Sequence, residues 1–147
     1  MRKRKKRMKN SEEKQPKENN LPSQIKKIAE NLYYTSETDA KIIPFTEKKA
    51  VAATAAELLN QIGKAENMPV EEKDFNDFFK RLTEIQDWFG DEEKATAQKF
   101  ADLKNLLEKN LKDIKVFRIG KIQIDIYIVG LDADGNLAGI QTKAVET

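Results

Sequence analysis

Apolar side chains recur along this chain with two different periods. Up to Ile114 they fall at steps of three and four, and from Val116 onward they alternate with polar ones. The first pattern marks one face of a helix and the second a strand with one buried face. Ile25, Ile28, Ala29, Leu32 and Tyr33 predict a helix that starts at Leu21-Pro22-Ser23, with Ser23 as N-cap, and runs to about Tyr34. Thr35 to Asp39 reads as a polar break. Lys41 to Thr46 reads as a strand, and Pro44, which has no N–H to give a ladder, makes that strand an edge or an irregular one. Val51, Ala55, Leu58 and Ile62 form a stripe in an Ala-rich helix expected from Lys49 to Ile62, stopped by Gly63.

Residues 64–73 read as a loop with a short extended piece near Val70. Asp74 is placed to cap a helix carrying Phe75, Phe78, Phe79 and Leu82, a run that reads as core. After the loop Gln86-Asp87-Trp88-Phe89-Gly90, Asp91 caps the longest helix, expected over about 92–112 with Phe100, Leu103, Leu107, Leu111 and Ile114 on one side. Three strands close the chain: Val116 to Ile119, Ile122 to Val129, and Leu137 to Val145 after the turn Asp132-Ala133-Asp134-Gly135-Asn136. Tyr127 and Val129 make the second face of the middle strand partly apolar, so helices are expected on both faces of the sheet. Helices first and a β-meander last give an α+β layered fold.

Composition narrows the chemistry. The 147 residues include no cysteine and no histidine. That removes disulfides, thiolate nucleophiles, thiolate and imidazole metal sites and the Ser-His-Asp arrangement. A binding protein is expected rather than an enzyme, with no cofactor. The formal net charge of +2 is an average over unlike parts. Residues 1–20 hold nine bases and three acids, a net of +6, and residues 21–147 hold 18 bases and 22 acids, a net of −4. Residues 1–20 have only Met1 and Met8 as apolar side chains. They are expected to be a disordered polybasic tail ahead of one domain at 21–147. Its Arg2 to Arg7 run is a means of binding nucleic acid or an anionic surface, with the body as a protein-interaction module, or simply a solubilising segment. No run of 18 apolar residues predicts a membrane span. A cytoplasmic protein, monomeric when free, is expected, with a nuclear location open to a eukaryotic host through Arg2–Arg7.

Several side chains are candidates for chemistry. Asp132-Ala133-Asp134-Gly135 resembles part of a calcium loop, but alignment on Gly135 leaves Gly130 and Gln141 where the first and last carboxylates belong, so it reads as a hairpin turn. Asp87, Glu92 and Glu93 read as a solvated, dipole-favoured helix start. Asp125 reads as the partner of a base on the next strand. Trp88, the single tryptophan, is open to a core position or, given its loop, a binding one. The sequence stops straight after a strand, at Lys143-Ala144-Val145-Glu146-Thr147, so the terminal carboxylate and the Thr147 hydroxyl offer hard oxygens for Mg²⁺ or a basic pocket.

Lys115-Val116-Phe117-Arg118-Ile119-Gly120, Asp125-Ile126-Tyr127-Ile128-Val129-Gly130, and Gly135-Asn136-Leu137-Ala138-Gly139-Ile140 through Val145-Glu146-Thr147 strongly resemble the nuclease A inhibitor family. So do Asp77-Phe78-Phe79, Gln86-Asp87-Trp88-Phe89 and Asp91-Glu92-Glu93, and Tyr34-Thr35-Ser36-Glu37 is similar to its Ser-Glu loop. The likeness covers about 21–147 and is loose over 38–73. It implies a three-layer α-β-α sandwich and inhibition of a sugar-non-specific, Mg²⁺-dependent ββα-metal endonuclease. It also implies that Thr147 enters the nuclease active site and engages that enzyme's metal, that Glu37 reaches the same site, and that Trp88 joins the interface. An acidic body suits the electropositive groove of such a nuclease.

Overall fold

The structure is a computed structural model that describes residues 20–147. The expectations placed on residues 1–19 (disorder and a nucleic-acid contact) lie outside the described residues. Among those described, the chain forms α1 (Leu21–Ile28), β1 (Tyr33–Thr35), β2 (Asp39–Lys41), β3 (Ile43–Lys49), α2 (Ala55–Ile62), β4 (Val70–Lys73), α3 (Phe75–Thr83), α4 (Asp91–Asn110), β5 (Lys112–Ile119), β6 (Gln123–Leu131) and β7 (Asn136–Val145). No helix among them is long and apolar enough to cross a membrane.

The main sheet has five antiparallel strands in the order β3-β7-β6-β5-β4. Alternation along β6 splits its side chains between two cores. Ile124, Ile126 and Ile128 meet Ile25 and Ala29 at α1, Phe75 and Phe79 of α3, and Phe100, Leu103 and Leu107 of α4. Tyr127 and Val129 face the other way, onto Leu58 and Leu59 of α2, Phe45, Phe117 and Leu137. Helices therefore cover both faces, as the α+β layered reading requires. Pro44 does lie in an edge strand, and its missing donor costs the ladder nothing there.

Four boundaries depart from the periodicity. The first helix ends at Ile28 rather than near Tyr34, and its N-cap is Asn20, whose Oδ1 accepts the Ser23 N–H at 2.9 Å. Asn31, at φ 62°, turns the chain into β1, so Tyr33 and Tyr34 sit in a strand, where aromatic residues are favoured. The expected polar break is the turn of a hairpin, with Tyr33, Tyr34 and Thr35 opposite Lys41, Ala40 and Asp39. The Ala-rich helix starts at Ala55, capped by Thr54, because β3 runs on to Lys49 and pairs it with Asn136. Val51 is consequently 98% exposed and belongs to no stripe. The longest helix is capped at Gly90, whose N–H is taken by Glu93 Oε1 at 3.0 Å, and it stops at Asn110, so Ile114 belongs to β5.

Two carboxylate positions read as structural from the sequence are so. Asp132 Oδ1 accepts the N–H groups of Asp134 and Asn136, which closes the β6–β7 turn. Asp125 lies opposite Lys143, 3.9 Å from its Nζ.

Two core substitutions and one surface substitution check this arrangement by chemical unfolding. Leu58→Ala empties a site with 0% exposure and is expected to cost about 2–5 kcal/mol, whereas Val51→Ala should stay within about 0.5 kcal/mol. Gly139→Ala would drive a Cβ into the Ile128 carbonyl across the β6–β7 ladder and should cost about 1–3 kcal/mol or more.

Candidate functional site

The outer edge of β7 is shared by two neighbours. β3 pairs with its first part, from Asn136 to Gln141. Beyond that point the β1–β2 hairpin takes over. Thr142 Oγ1 donates to the Lys41 carbonyl at 2.8 Å, the Val145 N–H donates to Ser36 Oγ at 3.0 Å, and the Glu37 N–H donates to the Val145 carbonyl at 3.3 Å. The hairpin tip Ser36-Glu37-Thr38 is thereby laid against the last residues of the sequence. Its own shape is held by the Ser36 N–H on the Thr38 carbonyl at 2.8 Å and by Thr35 Oγ1 on Asp39 Oδ1 at 2.9 Å.

That geometry joins two of the three predicted site residues. The Thr147 N–H donates to Glu37 Oε2 at 2.7 Å, and the Thr147 hydroxyl lies 3.0 Å and 3.2 Å from the two carboxylate oxygens of Glu37. A carboxylate has no proton to give, so both contacts are donations from Thr147. Hydroxyl and carboxylate thus form one exposed cluster of hard oxygens, built from segments 110 residues apart.

Trp88 is not part of that cluster: among the described residues its ring contact is to Phe89, edge-on at 4.7 Å. It is 74% exposed, so the reading of a lone tryptophan as core does not hold, and the binding alternative fits its position. The loop that carries it leaves α3 just past Arg81, and Arg81 borders the same cleft as Glu146. Ile85 in this loop is also exposed, at 56%.

Sequence reasoning passed over Arg118 and Glu146. The Arg118 side chain is only 13% exposed, and its Nη2 donates to Glu146 Oε1 at 2.6 Å. Its Nε is buried with no aligned acceptor, the closest carboxylate oxygen being Glu71 Oε1 at 3.4 Å. Tyr34, stacked on Phe78 with ring centroids 5.6 Å apart, borders the same cleft of about 600 Å³. A signal was available: Arg118 interrupts the apolar run Val116-Phe117-Arg118-Ile119 on the Val116 side of a central strand.

The Arg118 hydrogen bond holds the Glu146 carboxyl below its ordinary value; desolvation opposes it, and the charges of Arg118, Arg81 of α3 and Lys73 of β4 add attraction. The same bond raises Arg118, with Glu71 as a further facing charge. A depressed carboxyl contributes stability that is present above its unfolded-state value and lost as pH falls through its folded-state value. Wild-type protein should therefore exceed Glu146→Gln in stability near neutral pH, and the gap should close in acid. Because Glu146 is half exposed, solvent screening holds the gap to about 1 kcal/mol, measurable by urea unfolding across the acid range.

Compared with known proteins, residues 19–147 match the family model described as nuclease A inhibitor-like protein. No curated protein matches the chain. The match takes in the hairpin, the Trp88 loop and the closing meander alike, in accord with the likeness carried by those segments of the sequence. The chain belongs to the nuclease A inhibitor-like protein family.

Proposed function

We propose that this protein inhibits a sugar-non-specific, Mg²⁺-dependent endonuclease by seating Thr147 and Glu37 at the enzyme's metal centre, with Trp88 packing on the groove beside it. Family membership supports a nuclease-inhibitor role in general. The observation that carries the finer reading is the Glu37–Thr147 contact at 2.7 Å. Oxygen donors are the ligands that Mg²⁺ accepts, and a metal-dependent nuclease needs an open coordination position for water and a phosphate oxygen. A hydroxyl and a carboxylate delivered together would occupy those positions. The hairpin and β7 hold both groups in place before binding, so less ordering entropy opposes association. Residues 21–147, at a net of −4, would be drawn toward a groove built to attract phosphates.

Stoichiometric addition of the purified protein should abolish DNA and RNA cleavage by a ββα-metal nuclease near a 1:1 ratio. Full activity at large excess, across several such nucleases, would sink the reading. Thr147→Ala and Glu37→Ala should each weaken inhibition by about 2 kcal/mol or more, as should Trp88→Ala, while leaving the unfolding midpoint close to wild type. An unchanged inhibition constant in all three would reject these residues and leave inhibition itself standing. Raising salt should slow association far more than it speeds dissociation, a split that stopped-flow mixing can resolve.

A further inference from the structure

We infer that Arg118 is the positioning residue for residues 146 and 147: from the buried face of β5 it grips the Glu146 side chain and so holds Thr147 at Glu37. This rests on the inhibitor reading for its functional consequence, though not for its geometry. The β6–β7 ladder ends with Val145 opposite Gln123, so Glu146 and Thr147 have no strand pairing to hold them. Three partners take its place: Ile122, Arg118 and Glu37. The Glu146 N–H donates to the Ile122 carbonyl at 2.9 Å, the Glu146 carboxylate accepts from Arg118 at 2.6 Å, and the Thr147 N–H donates to Glu37 at 2.7 Å.

Of the three, Arg118 is the one whose side chain is mostly covered, at 13% exposure. Ile122 belongs to an exposed turn, and Glu37 to an exposed hairpin tip. Arg118 is carried by a strand paired on both sides, and its Nη2 makes one short charge-assisted bond to the Glu146 carboxylate. The buried Nε without an aligned acceptor is a cost of this placement. A residue serving stability alone would be better as an apolar side chain at that position, since replacing buried charge with packed hydrocarbon is commonly neutral or favourable. A guanidinium aimed at Glu146 instead fits a requirement on where the last two residues point.

Two variants test this on the full-length chain: Arg118→Met, and Glu146→Ala, which removes the acceptor of the same contact from the half-exposed side if the first fails to fold. In the free protein, the amide order parameter of Thr147 should fall in both variants while those of Ile126 and Ile128 stay at wild-type values. Against a nuclease that the wild type inhibits, each should weaken inhibition by at least about tenfold, and adding Thr147→Ala should cost little more than Thr147→Ala alone, the mark of residues acting through one another. Arg118→Lys, which keeps the charge on a flexible stem, should recover part of the loss. A Thr147 order parameter unmoved in Glu146→Ala, or strictly additive losses in the double variant, would overturn the inference. If the wild type inhibits no nuclease, the inhibitor reading falls by itself, and the order parameters still decide whether Arg118 positions the segment.

Discussion

The ladder between β6 and β7 is the constraint on which the rest of the molecule depends. Its register, from Gln123 opposite Val145 to Leu131 opposite Leu137, sets which face every following side chain meets. A slip of one residue would exchange the two cores, sending Ile124, Ile126 and Ile128 toward the side built for Tyr127 and Val129. The turn at Asp132 and the close approach at Gly139 both hold that register. Because β7 ends at Val145, one residue before Glu146, the ladder also sets where the segment that carries Thr147 begins.

Much of this was legible in the residues. The alternation from Val116 to Val145 gave the meander, since period-two patterning over three adjacent segments has few other solutions. The caps at Asp74 and Gly63 and the edge placement of Pro44 follow from local chemistry that tertiary context left alone. What escaped was decided by partners distant in sequence. Tyr33 continues the helical spacing of Ile25 and Leu32, and only pairing with Lys41 makes it a strand residue. Val51 fits a stripe with Ala55 and Leu58, yet the pairing of Lys49 with Asn136 keeps it out of the helix. Three-residue strands such as β1 and β2 give too short a pattern to outweigh a neighbouring helical one.

The candidate site divides along the same line. Trp88 and Thr147 stood out by residue type and place, Glu37 by resemblance to a family alone, and nothing in their spacing said that Glu37 and Thr147 would touch. Their contact is a product of the hairpin continuing along β7 where β3 leaves off. Arg118 shows the opposite case, a charged residue in an apolar run whose meaning lay in a carboxylate 28 positions away. Charge followed the same logic: the +2 average concealed a −4 body bearing an exposed carboxylate–hydroxyl pair.

The divided edge of β7 has a consequence for assembly. The hairpin that presents Glu37 is made early in the chain, and the strand that presents Thr147 is the last of the described elements. A contact between residues 110 apart in sequence is one that tertiary structure alone can make. The oxygen pair is therefore a readout of the assembled sheet, lost wherever either the hairpin or the end of β7 comes away from it.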